Sequence, residues 1–512
     1  MNEDAYYQRL EINGNQLFTI VLLPHKGGKF PVVILRSPYV QNAATEPEEV
    51  LVQDAARRYE SWLKRGYAIV FQHCRGQGKS TGAFVPYIFE REDGLALRQW
   101  IRQQPFYNGT LFLWGSSYTA SLHYATAPFE TDICGAVFEV QDSERYRLWY
   151  RNGQMRKGHA NWHFELYKSD SGHKKDFTMQ SFSRLPLKGL SKRALGETAE
   201  DFEQMLTAQM PTNPFWNTRF GGEDARNALI DADIPILLTT GYNDFYVGGV
   251  FKMWNDMDTQ TRSKSAMLVS PYNHGDSYSS TRGCAFLSGK RSEQFGTTYQ
   301  IDWLDHILKG TPLPYEKGVI TYYRTFENRW ESDFYKTKVQ SLCIPLGTAK
   351  LSFAYDPYSP TAFSAEGTFS TETQGSFIRV FTKPLDRDVF VKGQMRAKLT
   401  VSSDCEDTSF YLRISLCRQG SSYVLRHDIT SLGYQLGAYR ANDVVSLDFC
   451  FDEYAFLLQK GDCLQIDIAA TDDNTYVAHT NQKGDYYLQT DVKTAHNTVY
   501  LAQSELYLPI EQ

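Results

Sequence analysis

The first third of the chain alternates short apolar runs with segments of helical period. The apolar runs end in turn residues and occupy 18–24, 31–39, 67–74, 110–117 and 133–140. Between them, apolar side chains at 48–65 and 92–104 recur at helical spacing, which predicts helices. Strands that are apolar on both faces and alternate with helices predict a parallel sheet covered on both sides. Two later runs, 234–241 and 265–271, are predicted to extend this sheet.

The segment 141–230, which separates those two groups of strands, has a different character. It is polar, compatible with helices and rich in aromatic residues such as Trp149 and Trp162. An insertion of about ninety residues between two strands is typical of a lid over the edge where the strands end. We therefore predict a helical cap at 141–230, between core segments 1–140 and 231–318. A purely structural helical excursion is the alternative.

After about residue 320 the helical period disappears. Runs such as 377–385, 395–403, 409–417 and 422–430 alternate between apolar and polar residues and are separated by turn residues. This pattern predicts an antiparallel sandwich, and we assign 319–512 to a jelly-roll domain of the galactose-binding-like kind. The predicted fold class is α/β, with an inserted helical cap and a C-terminal all-β domain.

Composition narrows the class of protein. The 512 residues include 53 basic and 59 acidic side chains, which gives a net charge of −6. A chain of this length needs more than one hydrophobic core, and its mild acidity gives no reason to expect nucleic acid or an anionic membrane as a partner. No signal peptide or membrane-spanning run is visible, and the eight cysteines are scattered without a C-x-x-C pair. These features predict reduced thiols, a cytoplasmic location and no membrane association.

The strongest chemical signal is the segment 114–120, where an apolar strand ends and a helix of small and apolar residues begins. Ser117 lies at this strand-to-helix turn, the setting of the G-x-S-x-G nucleophile elbow, although Thr119 replaces the second glycine. Similar letters at 420–423 lie between two alternating strands and predict a hairpin, so the context carries the signal. In the elbow, the main-chain N–H of Tyr118 is placed to donate to an oxyanion.

A serine nucleophile needs a base, and the base needs an orienting acid. Asp244 follows the strand 234–241 and His274 follows the strand 265–271, in the order Ser, Asp, His that belongs to this elbow. We therefore predict a triad of Ser117, Asp244 and His274, with Asp276 as the runner-up acid.

Two other motifs, a zinc-pair spacing and a phosphate-loop sequence, do not predict a binding site. His159 and His163 have the spacing of a zinc pair, but no glutamate or third ligand accompanies them, so no metal is predicted. The segment 74–80 contains Gly-Lys-Ser, but a phosphate-binding loop needs a glycine where His73 stands. No cofactor is predicted.

The motifs together resemble the CocE/NonD family of serine hydrolases, the group of cocaine esterase and X-prolyl dipeptidyl-peptidase. The resemblance covers essentially the whole chain and rests on the segments 36–39, 75–82, 100–109, 115–118, 241–244, 271–275, 302–310 and 461–469. It implies an α/β-hydrolase core with a cap and a jelly roll, in which Ser117 is the nucleophile, Asp244 the orienter and His274 the base. It also implies that the Tyr39 hydroxyl is the second oxyanion donor, beside the Tyr118 N–H.

The sequence constrains the substrate less closely. Residues 245–249 carry no carboxylate, whereas members of this family that act on α-amino acid esters resemble each other in carrying extra ones beside the aspartate, so that activity is disfavoured. The chain starts directly with the sheet domain, which disfavours an X-prolyl dipeptidyl-peptidase with an added N-terminal helical domain. Three aromatic residues, Trp149, Trp162 and Phe245, are predicted to contact the substrate, which favours an apolar or aromatic acyl or alcohol group.

The leading hypothesis is a serine hydrolase that cleaves a small ester, amide or short peptide through an acyl-enzyme on Ser117. An X-prolyl dipeptidyl-peptidase is the alternative within the same chemistry. A carbohydrate-binding protein with a vestigial hydrolase core is the alternative from another class. Association into a homo-oligomer is left open.

Overall fold

The computed structural model describes the following residues of the chain: 4–171, 182–183, 185–218, 222–274, 298–335, 339–363, 376–485 and 487–511. The strands of the first two thirds are β1 (Ala5–Ile12), β2 (Asn15–Leu22), β3 (Phe30–Ser37), β4 (Ala68–His73), β5 (Tyr107–Ser116), β6 (Ile133–Glu139), β7 (Tyr150–Arg151), β8 (Gln154–Met155), β9 (Ile236–Asn243), β10 (Ala266–Asn273), β11 (Ile320–Arg324) and β12 (Arg329–Asp333). Strands β7 and β8 pair with each other, and the other ten form one sheet.

The large sheet has the order β1-β2-β4-β3-β5-β6-β9-β10-β11-β12. Its neighbours from β4 to β11 are parallel, and the antiparallel pairings lie at the two edges. All seven strands predicted from apolar runs belong to this sheet. The carboxyl ends of β3, β5, β9 and β10 therefore meet at one edge, as the predicted site requires.

The described helices lie between these strands and after them. They are α1 (Glu48–Arg58), α2 (Glu60–Lys64), α3 (Glu90–Arg102), α4 (Tyr118–Tyr124), α5 (Arg145–Trp149), α6 (Lys157–Ser171), α7 (Leu190–Leu195), α8 (Glu200–Thr207), α9 (Gly222–Ile230), α10 (Val247–Asp256), α11 (Thr259–Lys264), α12 (Tyr299–Lys309) and α13 (Leu432–Leu436). Short 3-10 turns occur at Gln41–Ala44, Pro214–Thr218 and Leu501–Gln503.

The large sheet is buried on both faces. In β3, Val32 and Ile34 belong to one apolar cluster, whereas Val33 and Leu35 belong to another on the opposite side. Successive residues of a strand point to opposite faces, so a strand covered on both sides must be apolar at every position. This explains why the sequence shows continuous apolar runs instead of alternation in the first third of the chain.

The inserted segment 141–230 contains α5 to α9 and the β7–β8 pair. Its aromatic residues form an interior: Trp149 stacks on Trp216 with ring centroids 5.4 Å apart, and Tyr146 stacks on Tyr150 at 5.5 Å. The segment also contacts the C-terminal domain, since Arg151 pairs with Asp428 at 2.6 Å.

Strands β11 and β12 correct the predicted domain boundary at residues 318 and 319. β11 pairs in parallel with β10, and β12 pairs antiparallel with β11, so both belong to the large sheet. All five residues of β11 are buried, as a strand inside a sheet covered on both faces requires. The all-β part of the chain therefore begins with the strand at Val339 and not at residue 319.

The C-terminal strands are β13 (Val339–Pro345), β14 (Lys350–Tyr355), β15 (Phe377–Phe381), β16 (Val389–Gly393), β17 (Arg396–Ser403), β18 (Ser409–Arg418), β19 (Ser421–Ser431), β20 (Val445–Cys450), β21 (Tyr454–Leu458), β22 (Cys463–Ala469), β23 (Ala495–Tyr500) and β24 (Glu505–Glu511). They form an eight-stranded sheet and a four-stranded sheet, the latter in the order β15-β22-β18-β19. The two sheets share a core, in which Phe353 of β14 contacts Phe410 of β18 at 6.4 Å between ring centroids. The predicted all-β domain is confirmed.

The structure bears in part on two predictions, the reduced state of the cysteines and the absence of a membrane-spanning run. The described cysteines are all free thiols, but Cys343 and Cys450 are exposed, and Cys284 lies outside the described residues. Within the described ranges, no helix combines the length and apolar character needed to cross a bilayer.

Candidate active site

The elbow at Ser117 is formed between β5, which ends at Ser116, and α4, which begins at Tyr118. Ser117 has φ 55° and ψ −130°, a region that non-glycine residues rarely adopt and that is typical of the strained nucleophile turn. A Cβ added at Gly115 would overlap the carbonyl group of Thr119, so this position accepts only glycine. The Thr119 hydroxyl donates to the carbonyl of Ser116 and accepts from its N–H, both at 2.7 Å, and closes the turn where the usual motif has glycine.

Asp244 lies directly after β9, and only 3% of its surface is exposed. Its Oδ1 accepts a hydrogen bond from the main-chain N–H of Tyr246 at 2.8 Å, which fixes the carboxylate in its loop. Gly241 makes this loop possible, because an added Cβ would overlap the carbonyl of Tyr272 on the neighbouring strand.

His274 follows β10 and bridges the other two residues of the predicted triad. Its Nδ1 is 3.1 Å from Asp244 Oδ2, and its Nε2 is 2.9 Å from Ser117 Oγ. The ring of Phe245 stacks on the imidazole with centroids 4.5 Å apart, which restricts its rotation. The structure thus brings the three residues together with the connectivity that a serine nucleophile needs. The runner-up acid Asp276 lies outside the described residues.

Tyr39 follows β3 at the same edge of the sheet, and its hydroxyl interacts with the side chains of Ser117 and Trp162. Although 44% of the residue is exposed, burial of the hydroxyl raises the pKa of Tyr39 to about 12. The phenol therefore stays protonated at neutral pH and can donate a hydrogen bond beside the serine.

The main-chain N–H of Tyr118 is the first of α4, where a helix leaves its N–H groups without intrahelical partners. The side chain of Tyr118 points elsewhere, since its hydroxyl donates to the carboxylate of Glu90 and accepts from the N–H of Tyr87 at 2.9 Å. Burial raises the pKa of Glu90, and it also raises the pKa of the Tyr118 phenol well above its usual value. This buried network anchors the first turn of the helix below the predicted oxyanion site.

A cavity of about 810 Å³ opens at the triad. Its wall combines three parts of the chain: the triad loops, the inserted segment with His159 and Trp162, and the C-terminal domain with His427 and Tyr476. Phe245 and Trp162, which are predicted to contact the substrate, line the cavity. Trp149 is not among the lining residues and is only 1% exposed, so we withdraw it from the proposed pocket. Its indole belongs to the interior of the inserted segment.

The charged residues of the cavity wall were not predicted from the sequence. The wall includes Arg151, Arg156, Arg413, Arg426, Asp452 and Asp472. They come from the inserted segment and from several loops and strands of the C-terminal domain, so no local pattern marks them as one site. Burial alone would raise the pKa of Asp452, but the guanidinium groups of Arg151 and Arg147 lower it well below its usual value.

The zinc spacing of His159 and His163 does not produce a shared site. His159 Nε2 lies 3.2 Å from the Tyr246 hydroxyl, whereas His163 Nε2 lies 3.3 Å from Asp201 in the interior of the inserted segment. Burial, followed by the nearby charge of Arg156, lowers the pKa of His159 well below its usual value. In the described part of the chain, the one acidic or histidine cluster with ligand spacing is Glu331, Asp333 and Glu511, which Lys392 and Arg324 already pair with.

Comparison with known proteins shows which family models the chain matches. Residues 13–276 match the model of X-Pro dipeptidyl-peptidase (S15 family), and residues 323–505 match that of the X-Pro dipeptidyl-peptidase C-terminal non-catalytic domain. The chain is also similar to cocaine esterase of Rhodococcus sp. (strain MB1 Bresler), with 28% identity over 146 residues. That alignment covers 28% of this chain and 24% of the esterase, so the matched region is about a quarter of the curated relative's length.

Solved structures show the same fold over the whole chain. An aminopeptidase from the marine sediment archaeon Thaumarchaeota archaeon superposes with a TM-score of 0.82 and 16% identity, covering 99% of this chain and 97% of that chain. An α-amino acid ester hydrolase gives a TM-score of 0.81 and 15% identity with the same coverage of 99% and 97%. A CocE/NonD family hydrolase from Staphylococcus aureus gives 0.66 and 14%, covering 100% and 93%.

Proposed function

The chain belongs to the X-Pro dipeptidyl-peptidase (S15) family, and we propose that it is a serine hydrolase that cleaves a small ester or amide through an acyl-enzyme on Ser117. The observation that carries this proposal is the chain of contacts from Asp244 through His274 to Ser117, at 3.1 and 2.9 Å. An acid, an imidazole and a hydroxyl in this order form an activated nucleophile.

The proposed reaction begins when Ser117 Oγ gives its proton to His274 Nε2 and attacks the substrate carbonyl carbon. Asp244 accepts a hydrogen bond from His274 Nδ1–H and stabilises the imidazolium. The Tyr39 hydroxyl and the Tyr118 N–H donate to the oxyanion of the tetrahedral intermediate. His274 then protonates the leaving alcohol or amine, and a water molecule releases the acyl group by the same steps in reverse.

The inserted segment 141–230 acts in this proposal as the predicted cap. It supplies Trp162 and His159 to the cavity wall next to the triad. The C-terminal domain, which we propose to be a jelly roll, supplies other residues of the wall, such as His427. The aromatic residues of the wall favour a substrate with an apolar or aromatic group.

An X-prolyl dipeptidyl-peptidase is the second candidate, because both family matches carry that name. Such an activity needs a carboxylate for the substrate's terminal ammonium. Besides Asp244, the cavity wall offers Asp452, which Arg147 and Arg151 occupy at 2.9 and 3.1 Å, and Asp472. Asp472 accepts hydrogen bonds from the Thr475 hydroxyl and from main-chain N–H groups. We therefore favour the ester or amide hydrolase.

Labelling with a fluorophosphonate probe tests the proposal, with wild type compared to Ser117→Ala. We expect labelling of the wild type only, and a loss of about 10⁴-fold or more in turnover of nitrophenyl esters by the variant. A second panel of Gly-Pro and Ala-Pro anilides, with free or acetylated amine, distinguishes the two candidates. If the folded wild type neither reacts with the probe nor turns over any substrate, the hydrolase proposal fails and the carbohydrate-binding alternative gains.

A further inference from the structure

Three of the four arginines in the cavity wall are fully engaged by the protein itself. Arg151 pairs with Asp428 and Asp452 at 2.6 and 3.1 Å. Arg413 pairs with Asp467 at 2.7 Å. Arg426 donates to the main-chain carbonyls of Leu425, Asp452 and Glu453. These guanidinium groups are structural, because each has acceptors that offset the free energy of burying its charge.

Arg156 differs from the other three. It is only 9% exposed, lines the cavity, and has no carboxylate within ion-pair distance in the described part of the chain. Its Nε is buried without a hydrogen-bond partner, and its Nη1 makes one long contact of 3.4 Å with the carbonyl of Phe245. A buried charge that leaves donors unused is costly unless a ligand supplies the acceptors.

The position of Arg156 places this charge beside the triad. Phe245, whose carbonyl it contacts, follows Asp244 in the chain and stacks its ring on His274 at 4.5 Å. Both Arg156 and Ser117 belong to the wall of the same cavity. A substrate that reaches Ser117 therefore occupies a cavity that Arg156 also borders.

In the described part of the chain no neighbouring carboxylate forms an ion pair with Arg156, although its charge helps to lower the pKa of Asp452. His159 does not add a second positive charge, because burial and Arg156 itself lower its pKa well below the usual value. Asp452 already binds Arg147 and Arg151, which makes it unavailable as a dedicated partner. The planar fork of a guanidinium is suited to two parallel hydrogen bonds with a carboxylate.

We propose that Arg156 binds a carboxylate of the substrate, so that the preferred substrates are esters or amides with an acidic group in the acyl or the leaving part. This inference rests on the proposed function of the same site and deepens it by naming a substrate class. The cationic side chain that binds the substrate's carboxylate thus belongs to the same cavity wall as the aromatic residues.

Paired substrates test the proposal in wild-type protein. The 4-nitrophenyl monoester of adipic acid is compared with 4-nitrophenyl hexanoate, and the butyryl ester of 4-hydroxybenzoate with the butyryl ester of 4-methylphenol. We expect kcat/KM to be about tenfold or more higher for the anionic member of at least one pair, as a charge-assisted bidentate contact implies. Equal or lower values for the anionic member of both pairs would overturn the proposal without any substitution.

The variants Arg156→Met and Arg156→Lys test whether the preference for anionic substrates comes from this side chain. Arg156→Met should abolish the ratio of kcat/KM that favours the anionic member of a pair, whereas Arg156→Lys should retain part of that ratio. Arg440→Met, at an exposed arginine paired only with Asp443, is the matched control and should not change the ratio. A preserved preference in a folded Arg156→Met protein contradicts the proposal.

A binding measurement separates this inference from the proposed function. Calorimetry of Ser117→Ala and of Ser117→Ala with Arg156→Met uses the adipate monoester, which neither protein should turn over. We expect binding to weaken about tenfold or more in the double variant, and equal or undetectable binding in both proteins overturns the role of Arg156. Full turnover by the Ser117→Ala protein would instead defeat the proposed function, and the kcat/KM ratios of the paired substrates in wild type and Arg156→Met would then decide on Arg156.

Discussion

The triad and the wall of the cavity differ in how the chain supplies their residues. Ser117, Asp244 and His274 each lie directly beyond a strand of the large sheet, so sheet hydrogen bonds fix their positions relative to one another. The rest of the wall, apart from the triad loops, comes from the inserted segment and from the C-terminal domain. The positions of these residues depend on how two other parts of the chain pack against the sheet. The chemistry thus rests on backbone geometry, and the choice of substrate rests on packing between units.

Substitutions in the triad and substitutions in the cavity wall are therefore expected to have different effects. Changes in the triad should alter kcat by orders of magnitude for every substrate, because the reacting atoms are the same for all of them. Changes in the wall should alter the ranking of substrates and leave the general activity largely intact.

The largest effect is expected for Asp244→Asn. The amide keeps an acceptor for the Tyr246 N–H, which lies 2.8 Å from Oδ1 of Asp244 in the wild type. It can no longer hold His274 in the tautomer that accepts the serine proton. We expect kcat to fall by about 10⁴-fold with little change in melting temperature, measured with a neutral nitrophenyl ester. Asp233→Asn, at an exposed acid paired with Lys264, is the control and should retain full activity. Retention of more than a tenth of kcat in Asp244→Asn would show that another acid orients the histidine.

A smaller effect is expected for Tyr39→Phe, which removes one oxyanion donor and keeps the ring. The loss should be about 10²- to 10³-fold in kcat, with KM nearly unchanged, because the donor acts on charge that develops in the transition state. Tyr358→Phe, at an exposed tyrosine, is the control. A large rise in KM with an unchanged kcat would mean that Tyr39 binds the ground state instead.

The pH dependence of the same pair gives an independent check on Tyr39. Burial raises the pKa of the phenol to about 12, so the hydroxyl remains a donor where an ordinary tyrosine, with a pKa of ~10, is half ionised. The ratio of wild-type to Tyr39→Phe kcat should stay level up to about pH 11 and decline only above it. A ratio that falls between pH 9 and 10 would contradict a buried donor.

The sequence predicted the elements whose signals are local. Apolar runs predicted the strands, and turn residues after three of them predicted where Ser117, Asp244 and His274 lie. Tyr39 was assigned only through the family resemblance, since an aromatic residue after a strand has no distinctive pattern. Arg156 was missed because the sequence does not show which side chains surround it, and its lack of an ion pair among the described residues becomes visible only in the fold.

The errors have the same cause. β11 and β12 were assigned to the C-terminal domain because short strands carry no mark of the sheet that they join. Trp149 was assigned to the pocket because its helix alone does not tell which neighbours cover it. In the structure, Trp216 and Tyr87 cover it, with ring centroids at 5.4 and 5.6 Å.

The smallest effects are expected for two tryptophans, Trp162 in the cavity wall and Trp149 in the interior of the inserted segment. Trp162→Phe removes part of the wall and the contact with the Tyr39 hydroxyl, so KM for aromatic esters should rise about fivefold, which corresponds to about 1 kcal/mol, the lower end for a pocket contact. Trp149→Phe leaves the wall intact but opens space in the interior of the inserted segment, so it should lower the melting temperature and leave KM unchanged. Steady-state kinetics and thermal melting of both variants decide the matter. A rise in KM for Trp149→Phe without a loss of stability would return Trp149 to the substrate pocket, because burial in the interior could not then be its main role.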